Sequence, residues 1–421
     1  MSTVNPSIGA IVNCDVLIVG AGFSGISALH GARKLGLTAT VFESGTDFGG
    51  VWYWNRYPGA RVDSEYPFYQ LNIAKAYHSF DFDERFPDDR EIRKYFAHLD
   101  KTLDLRKDVQ FEAHVNDARY DEKEGKWTVK TAAGHIATSK YLILATGLLH
   151  RRHYPDFPGL KNYKGVVHHS GFWPEDFSCK GKKVAVVGAG ATSVQIVQEL
   201  AKETADGGSL TMFMRRPSTC LPMAQRKLSA LEQKEWKSYY AALFRQGRSS
   251  SSGFPTKGPD CGVHDVPEEE RVALFEELWS RGGMAYLWGN YNDLLVDFKA
   301  NRTIYDFWAK KVRARMTDPV KKDLMAPLEP AYPFGTKRCP LEQDYYECLD
   351  MGHVDIVDLN KTPLKSFTEK GILTEEGVER EFDVVVLATG FDSFTGSYVS
   401  LFPTSQALFL TMGGRMTDFI T

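Results

Sequence analysis

The residues of this chain best suited to chemistry are two sets of glycines. Gly20-x-Gly22-x-x-Gly25 follows a β-branched apolar run at residues 16–19, and the pattern returns as Gly188-x-Gly190-x-x-Ser193 after a second run at 184–187. Glycines at this spacing let a backbone turn sharply and approach a pyrophosphate, whose charge then rests on the free N–H groups of a helix N-terminus. One such pattern is a weak signal. Here each copy leaves a strand-like run and opens a helical pattern, the context the mechanism needs. The chain is therefore expected to hold two nucleotide cofactors.

The surrounding elements must position those turns. Residues 14–43 read as strand, glycine turn, helix (25–35) and strand (38–42), with Glu43 at the point where a ribose hydroxyl would be held. Residues 108–146 read as short strands at 109–114, 127–131 and 135–139, running into 141–145 and Ala145-Thr146-Gly147. Such a meander commonly closes a flavin-binding domain. The second unit spans 182–216, with a helix at 193–202 and a strand at 210–214 that ends in Arg215-Arg216. A Ser/Gly-rich stretch at 247–253 is expected to be a mobile loop. Pro267 and three glutamates, with Val272, Phe275 and Leu278, start an amphipathic helix, so residues 222–332 read as a helical insertion. A strand at 354–358, a hairpin and a strand at 384–387 then lead to a second Ala388-Thr389-Gly390.

The expected fold is α/β, with two dinucleotide-binding, Rossmann-like domains and a helical insertion in the second. Residues 1–150 and 383–421 would form the first domain, and residues 151–221 and 333–382 the second, interrupted by 222–332. The 421 residues, 43% hydrophobic and 25% charged, suffice for two or three domains with proper cores. A formal net charge of −3 offers no basic excess for nucleic acid or an acidic membrane. The six cysteines lack any CxxC pair, which argues against a redox dithiol, a metal site or a disulfide framework. No apolar stretch approaches the roughly 20 residues of a spanning helix, and residues 1–13 lack the build of a signal peptide. A cytoplasmic location is expected.

Two denser segments remain. Residues 49–63, Gly49-Gly50-Val51-Trp52-Tyr53-Trp54-Asn55-Arg56-Tyr57-Pro58-Gly59-Ala60-Arg61-Val62-Asp63, mix glycine, aromatics and ionisable groups as a flavin site would, or as a turn-rich surface loop would. Residues 163–174 lie between the first Ala-Thr-Gly and the second fingerprint, hence on a linker between domains, and their His168, His169 and Trp173 read as conformational rather than catalytic. Tyr163, Gly165, His169, Trp173 and Pro174 match the spaced fingerprint of type I Baeyer–Villiger monooxygenases, and residues 49–63 match a second signature of that family without a gap. Over about residues 14–396 the chain resembles that family, within the flavin-containing monooxygenase superfamily. Tyr163 stands where the family usually has Phe.

The resemblance implies FAD on the first unit, with Gly20, Gly22, Gly25 and Glu43 at the diphosphate and ribose. Gly50, Trp52, Arg61, Asp63, Tyr69 and Val115 would complete that site, with Trp52, Asp63, Tyr69 and Val115 nearer the ring. NADPH would occupy Gly188, Gly190, Thr192, Ser193 and Gln195. Arg215, Arg216 and Lys337 would take its 2′-phosphate, since a guanidinium fork pairs with phosphate where an acid would read a 2′-hydroxyl. Arg338, in Pro333-Phe334-Gly335-Thr336-Lys337-Arg338, and Asp63 match the family's active-site pair. In the family's reaction NADPH reduces the flavin, oxygen adds, and the resulting flavin peroxide attacks a small-molecule ketone to give an ester or lactone. Arginine suits this role because it cannot surrender its proton at any working pH. N- or S-oxygenation is the alternative within the superfamily. A third reading is a catalytically impaired, nucleotide-binding relative, because residues 397–421 have no recognisable counterpart and a truncated or divergent C-terminus is expected.

Overall fold

The structure is a computed structural model that describes residue 9, residues 11–250 and residues 252–393. Of the segment 383–421, expected to return to the first domain, residues beyond 393 lie outside the described residues, as does the divergence expected at 397–421.

Strand β1 (Ile11–Val19) is buried over Val16-Leu17-Ile18-Val19, as a central parallel strand covered on both faces must be. Glycine ends it, and helix α1 (Phe23–Lys34) packs back on it through Ile26, Leu29 and Ala32. With β2 (Ala39–Phe42), β3 (Val109–Gln110), β4 (Val115–Asp121), β5 (Lys126–Thr131) and β6 (Ile136–Leu144), β1 forms a six-stranded sheet of order β3-β2-β1-β6-β5-β4. β1, β2, β3 and β6 are parallel, and β5 and β4 extend the sheet antiparallel.

Two expectations change here. The strands expected at 135–139 and 141–145 are one nine-residue strand, because β6 pairs with β5 on one side and along β1 on the other. β4 was not expected at all. Its sequence VNDARYD has few apolar residues, and the strand exists through its pairing with β5.

The second sheet is wholly parallel. It comprises β7 (Val166–His169), β8 (Lys183–Val187), β9 (Ser209–Met214), β10 (Val354–Asp358) and β11 (Val384–Leu387) in the order β10-β9-β8-β11-β7. Helix α2 (Ala191–Thr204) follows β8 and buries Val194, Ile196, Val197, Leu200 and Ala201. Residues 166–169, expected on a linker, are thus the edge strand of the second sheet. The boundary expected at 383 also moves: β11 is an inner strand of the second sheet, with Val385 and Leu387 in the same apolar cluster as Ala185 and Val187.

The two units repeat one junction. A β-carbon on Gly20 (φ +105°) would lie 2.5 Å from the Ala145 carbonyl oxygen, and one on Gly188 (φ +124°) 2.4 Å from that of Ala388. The Gly20 N–H donates to Phe42 and the Gly188 N–H to Phe213, while Ala145 and Ala388 each donate to the last residue of the neighbouring strand. The repeated Ala-Thr-Gly is therefore the partner of each glycine turn.

Helices Ala230–Lys237, Tyr240–Arg248, Glu268–Arg281, Phe298–Arg313 and Pro319–Met325 form the insertion. Asp297 caps Phe298–Arg313 by accepting the Ala300 N–H at 2.7 Å. The 247–253 stretch begins inside a helix rather than as a loop: Gly247 is buried, and a β-carbon there would sit 2.7 Å from the Gly253 carbonyl oxygen. Val272 is exposed, while Phe275 and Leu278 face the core as the helical spacing requires.

The third fingerprint position differs between the units for a steric reason. A β-carbon on Gly25 would stand 1.9 Å from the Gly20 carbonyl oxygen, whereas the second unit accommodates Ser193 there, fully buried. Gly25→Ser is expected to destabilise the chain by about 3 kcal/mol, in the range of overpacked core sites, and Ser193→Gly by under about 1 kcal/mol. Thermal unfolding of the two variants side by side checks this; equal melting temperatures would remove the steric argument.

Candidate active site

Glu43 follows β2, is buried, and fastens the first glycine turn. Its Oε2 accepts the Ala21 N–H at 2.6 Å and its Oε1 the Gly45 N–H at 2.7 Å. Expected at a ribose, the carboxylate is first of all a brace for the backbone. A carboxylate offers about four lone-pair positions, so capacity for a hydroxyl remains. Gly22 caps α1 with no side chain to satisfy its first-turn N–H groups. Gly50 faces it: a β-carbon on Gly50 would come 2.9 Å from the Gly22 α-carbon, so two backbones meet with no side chain between them.

The second cradle is more open. Gly190 caps α2, and a β-carbon there would meet nothing within 4 Å, so packing within the protein does not demand this glycine, whereas close approach of a diphosphate does. Ser193 adds a buried Oγ without a hydrogen-bond partner in the first turn. These cradles fit nucleotide diphosphates.

Beside the first cradle stands an aromatic wall. The single helical turn Val51–Trp54 presents Trp52, whose Nε1–H donates to the Tyr69 Oη at 2.8 Å. Tyr69 lies edge-on to Phe23, the first residue of α1, at 5.3 Å. Burial pushes the Tyr69 hydroxyl up to about 12, against the opposing bond from Trp52, so it stays protonated. Both Asp63 and Arg338 act electrostatically on Tyr69.

Arg338 and Asp63, 275 residues apart, meet with Nη2 donating to Oδ1 at 2.5 Å. Burial raises the Asp63 carboxyl and the Arg338 charge pulls it back. Arg338 hangs from a loop anchored by Asn301 of helix Phe298–Arg313, which donates from Nδ2 to the Phe334 carbonyl at 2.8 Å and accepts the Phe334 N–H at 2.8 Å. The guanidinium itself is 59% exposed, so the pair adds little stability and leaves most of its donors free. A narrow cleft beside it is lined by Asp63, Glu65, Phe254, Thr256, Met284 and Trp288.

Val115 does not join this cluster. It packs with Leu17, Val19 and Phe42 behind the sheet, and its neighbour Ala113 donates to the Glu43 carbonyl at 2.8 Å. Position 115 thus lies on the Glu43 side of the first unit, in a different apolar cluster from Trp52 and Tyr69.

The basic residues of the second unit converge through one tyrosine. The Tyr332 hydroxyl donates to the Pro217 carbonyl at 2.9 Å, directly after Arg215-Arg216, and Lys337 Nζ lies 4.6 Å above the Tyr332 ring. Arg215, Arg216 and Lys337 are exposed, and none forms an ion pair among the described residues. Gln195 is employed otherwise than expected. Its amide donates to the Arg61 carbonyl at 3.0 Å and accepts from the Tyr57 hydroxyl at 2.8 Å, which joins the units. Thr192 also bonds Tyr57, and the Arg61 guanidinium grips Glu84 and the Phe86 carbonyl instead of facing the cradle. The cause is Gly59: a β-carbon there would lie 2.7 Å from the Gln195 carbonyl oxygen, so segment 57–61 runs directly over α2.

Asn301 and Tyr332 were not singled out in the sequence. A polar residue on the apolar face of an amphipathic helix was the available signal for Asn301; nothing local marked Tyr332.

The segment after β6 is pinned to both units. His169 Nδ1 accepts the Gly171 N–H at 3.1 Å while Nε2 stands 3.1 Å from the Gly390 carbonyl oxygen, the arrangement of a neutral ring that donates from Nε2. Beyond it Glu175 is gripped by Arg56 and Arg93 of the first unit.

Comparison with known proteins agrees with this geometry. The family model described as flavin-binding monooxygenase-like matches residues 13–212. The chain is similar to the FAD-binding monooxygenase acrE of Aspergillus aculeatus, at 44% identity over 388 residues, covering 92% of this chain and 65% of that protein. It is likewise similar to the cyclopentanone 1,2-monooxygenase of a Comamonas strain, at 39% identity over 388 residues, covering 92% of this chain and 70% of that one. Among solved structures, an oxidized steroid monooxygenase bound to NADP superposes with a TM-score of 0.87 at 35% identity, covering 92% of this chain and 73% of that chain. The chain thus spans about two thirds of the length of the curated relatives it matches.

Burial lowers the His169 ring to about 4 from its usual 6.5. Because the folded value lies below the unfolded one, its contribution is complete above pH 6.5 and is lost as pH falls towards 4. His169→Gln retains a donor and an acceptor without titrating. It is expected to remove up to about 3 kcal/mol of the stability loss across that window, measured as the difference between the pH–stability curves of the two proteins.

Proposed function

The chain belongs to the flavin-binding monooxygenase-like family, in its Baeyer–Villiger group, and on that premise we propose that it is an FAD-dependent NADPH monooxygenase converting a ketone to an ester or lactone with dioxygen. The observation that carries this reading is the Asp63–Arg338 pair beside the Tyr69–Trp52 wall at the first glycine cradle. When bound, NADPH and FAD supply the reducing equivalents and, with dioxygen, the oxygen atom placed beside the carbonyl.

The chain's own residues do the remainder. Gly20, Gly22, Gly25 and Gly50 hold one diphosphate by backbone alone, with Glu43 at the ribose and Trp52, Tyr69 and Asp63 towards the reacting end. Gly188, Gly190 and the first turn of α2, with Thr192 and Ser193, hold the other. Arg215, Arg216 and Lys337 neutralise its 2′-phosphate. Arg338 is the fixed cation for the negative charge that develops on oxygen during attack and in the tetrahedral adduct. Asp63 positions it and tunes its field. The cleft beside Asp63 holds only about 10 Å³, so the ketone carbonyl approaches the guanidinium from the exposed side of Arg338.

A second reading, oxygenation of nitrogen or sulfur, is favoured by the open setting of Arg338 and by a Lysobacter antibioticus relative, 35% identical over 389 residues, named as a phenazine N-monooxygenase. One variant separates the two. In FAD-loaded protein, Arg338→Ala is expected to lower ketone turnover by roughly 10²–10³-fold while sulfide oxidation falls by less than about tenfold. Parallel losses on both substrates would set aside the proposed role of Arg338. Unmodified protein that gives no lactone from any member of a ketone panel, and whose flavin NADPH does not bleach without air, would end the monooxygenase reading itself.

For the nucleotide, replacing Arg216 and Lys337 together by alanine is expected to raise the KM for NADPH by about 10- to 100-fold, with the KM for NADH nearly unchanged. Steady-state kinetics with both nucleotides reads this ratio.

A further inference from the structure

A second cavity of about 210 Å³ lies next to the cleft at Asp63, between residues 68–72 of the first unit and helix Tyr240–Arg248 of the insertion. Phe254 lines the cleft, Phe68 lines the cavity, and the two rings meet edge to face at 5.5 Å. One aromatic pair therefore forms the partition. Phe68 and Phe244 make an apolar wall, backed by Tyr77 and Tyr240. Gly247 and Gly253 also line it, and a β-carbon on Gly247 would run into the Gly253 carbonyl oxygen, so the chain closes tightly on the helix end there.

The mouth is polar. Asn72 and Arg248 line it, both exposed, and among the described residues the Arg248 guanidinium grips no carboxylate and the Asn72 amide makes no hydrogen bond. Elsewhere in the insertion Arg226, Arg302, Arg313 and Arg315 each hold an acidic partner, whereas Arg245 on the same helix, like Arg248, forms no ion pair among the described residues. An arginine left unpaired over an aromatic-walled space, with an amide beside it, is an arrangement for a planar anion on an apolar stem. The anion keeps part of its hydration at the mouth, which limits the desolvation cost, and the stem gains the cover of the rings.

We infer that this cavity takes the carboxylate tail of an elongated keto acid. The tail carbons lie along Phe68 and Phe244, the carboxylate meets Arg248 and Asn72, and the ketone reaches past Phe254 to the Arg338 side. This names the substrate class for the reaction proposed above and rests on that reading.

The test uses the FAD-loaded full chain and cyclopentanones carrying 2-, 4- and 6-carbon carboxylic acid side chains, each beside its methyl ester. One member of the acid series is expected to show a KM at least about tenfold below that of its ester. Arg248→Met is expected to erase that ratio, and Asn72→Asp to invert it through like-charge repulsion. Both sites are exposed, which spares the core. A readout without turnover accompanies the kinetics: the preferred acid raises the melting temperature of the unmodified protein, and this rise disappears in both variants. Equal KM values for every acid and ester, with no thermal shift, overturn the carboxylate subsite while leaving ketone oxygenation standing. A thermal shift that depends on Arg248, in a protein that oxidises none of the ketones, supports the subsite and overturns the reaction.

Discussion

A peptide carbonyl standing where a β-carbon would have to go is the constraint on which this structure turns. It occurs at Gly20 against Ala145 and again at Gly188 against Ala388. Because neither glycine bears a side chain, two neighbouring strand ends close on each other and the turn between strand and helix is pressed outward. The uncapped first turns of α1 and α2 are then presented at the ends of the strands, where parallel sheets bind ligands. The same steric argument separates the units. Gly25 is packed against the Gly20 carbonyl, whereas the second turn has room for a buried Ser193.

Arg338 reaches the first cradle by a long route. Its loop leaves the helical insertion, is fixed by two hydrogen bonds to Asn301, and is held at either side by buried Phe334 and Cys339. The Arg338 end of the pair is exposed while Asp63 is partly buried, and pairs open to water on one side contribute from nothing to about 1 kcal/mol. The fold does not lean on that contact, which leaves the guanidinium available to a developing negative charge. The insertion has a double office here: it carries the cation and supplies Phe254, Met284 and Trp288 to the cleft.

The units share one apolar cluster, running from Val16 and Leu29 to Val184, Val194 and the insertion, and directional contacts are added to it. Gly59 admits segment 57–61 onto α2, Gln195 bonds Tyr57 and Arg61, and Glu175 is held by Arg56 and Arg93. His169 ties the edge strand β7 to Gly390. Directional contacts of this kind set an orientation while exposing polar groups that water can serve when they part. Tyr163, with its hydroxyl donating to the Phe382 carbonyl at 2.7 Å, adds one bond that the family's usual phenylalanine lacks.

Local order was written into the chain where short-range physics decides it. The strand–glycine–helix units, the proline-led helix at 268–281 and the repeated Ala-Thr-Gly are readable because turn sterics, N–H satisfaction and side-chain periodicity act over a few residues. Arg215-Arg216 at a strand end was legible for the same reason, whereas the reading of residues 49–63 came from the family resemblance. Apart from the Asp63–Arg338 pair, which the family resemblance supplied, contacts between distant segments were not. Placing β7 and β11 in the second sheet, Val115 on the Glu43 side, Gln195 on Tyr57 and Arg61, Asn301 under the arginine loop and Phe68 against Phe254 all required tertiary structure. Each depends on which segments become neighbours after the chain closes, and that is decided by the summed packing of two sheets and an insertion, a quantity no local stretch of sequence carries.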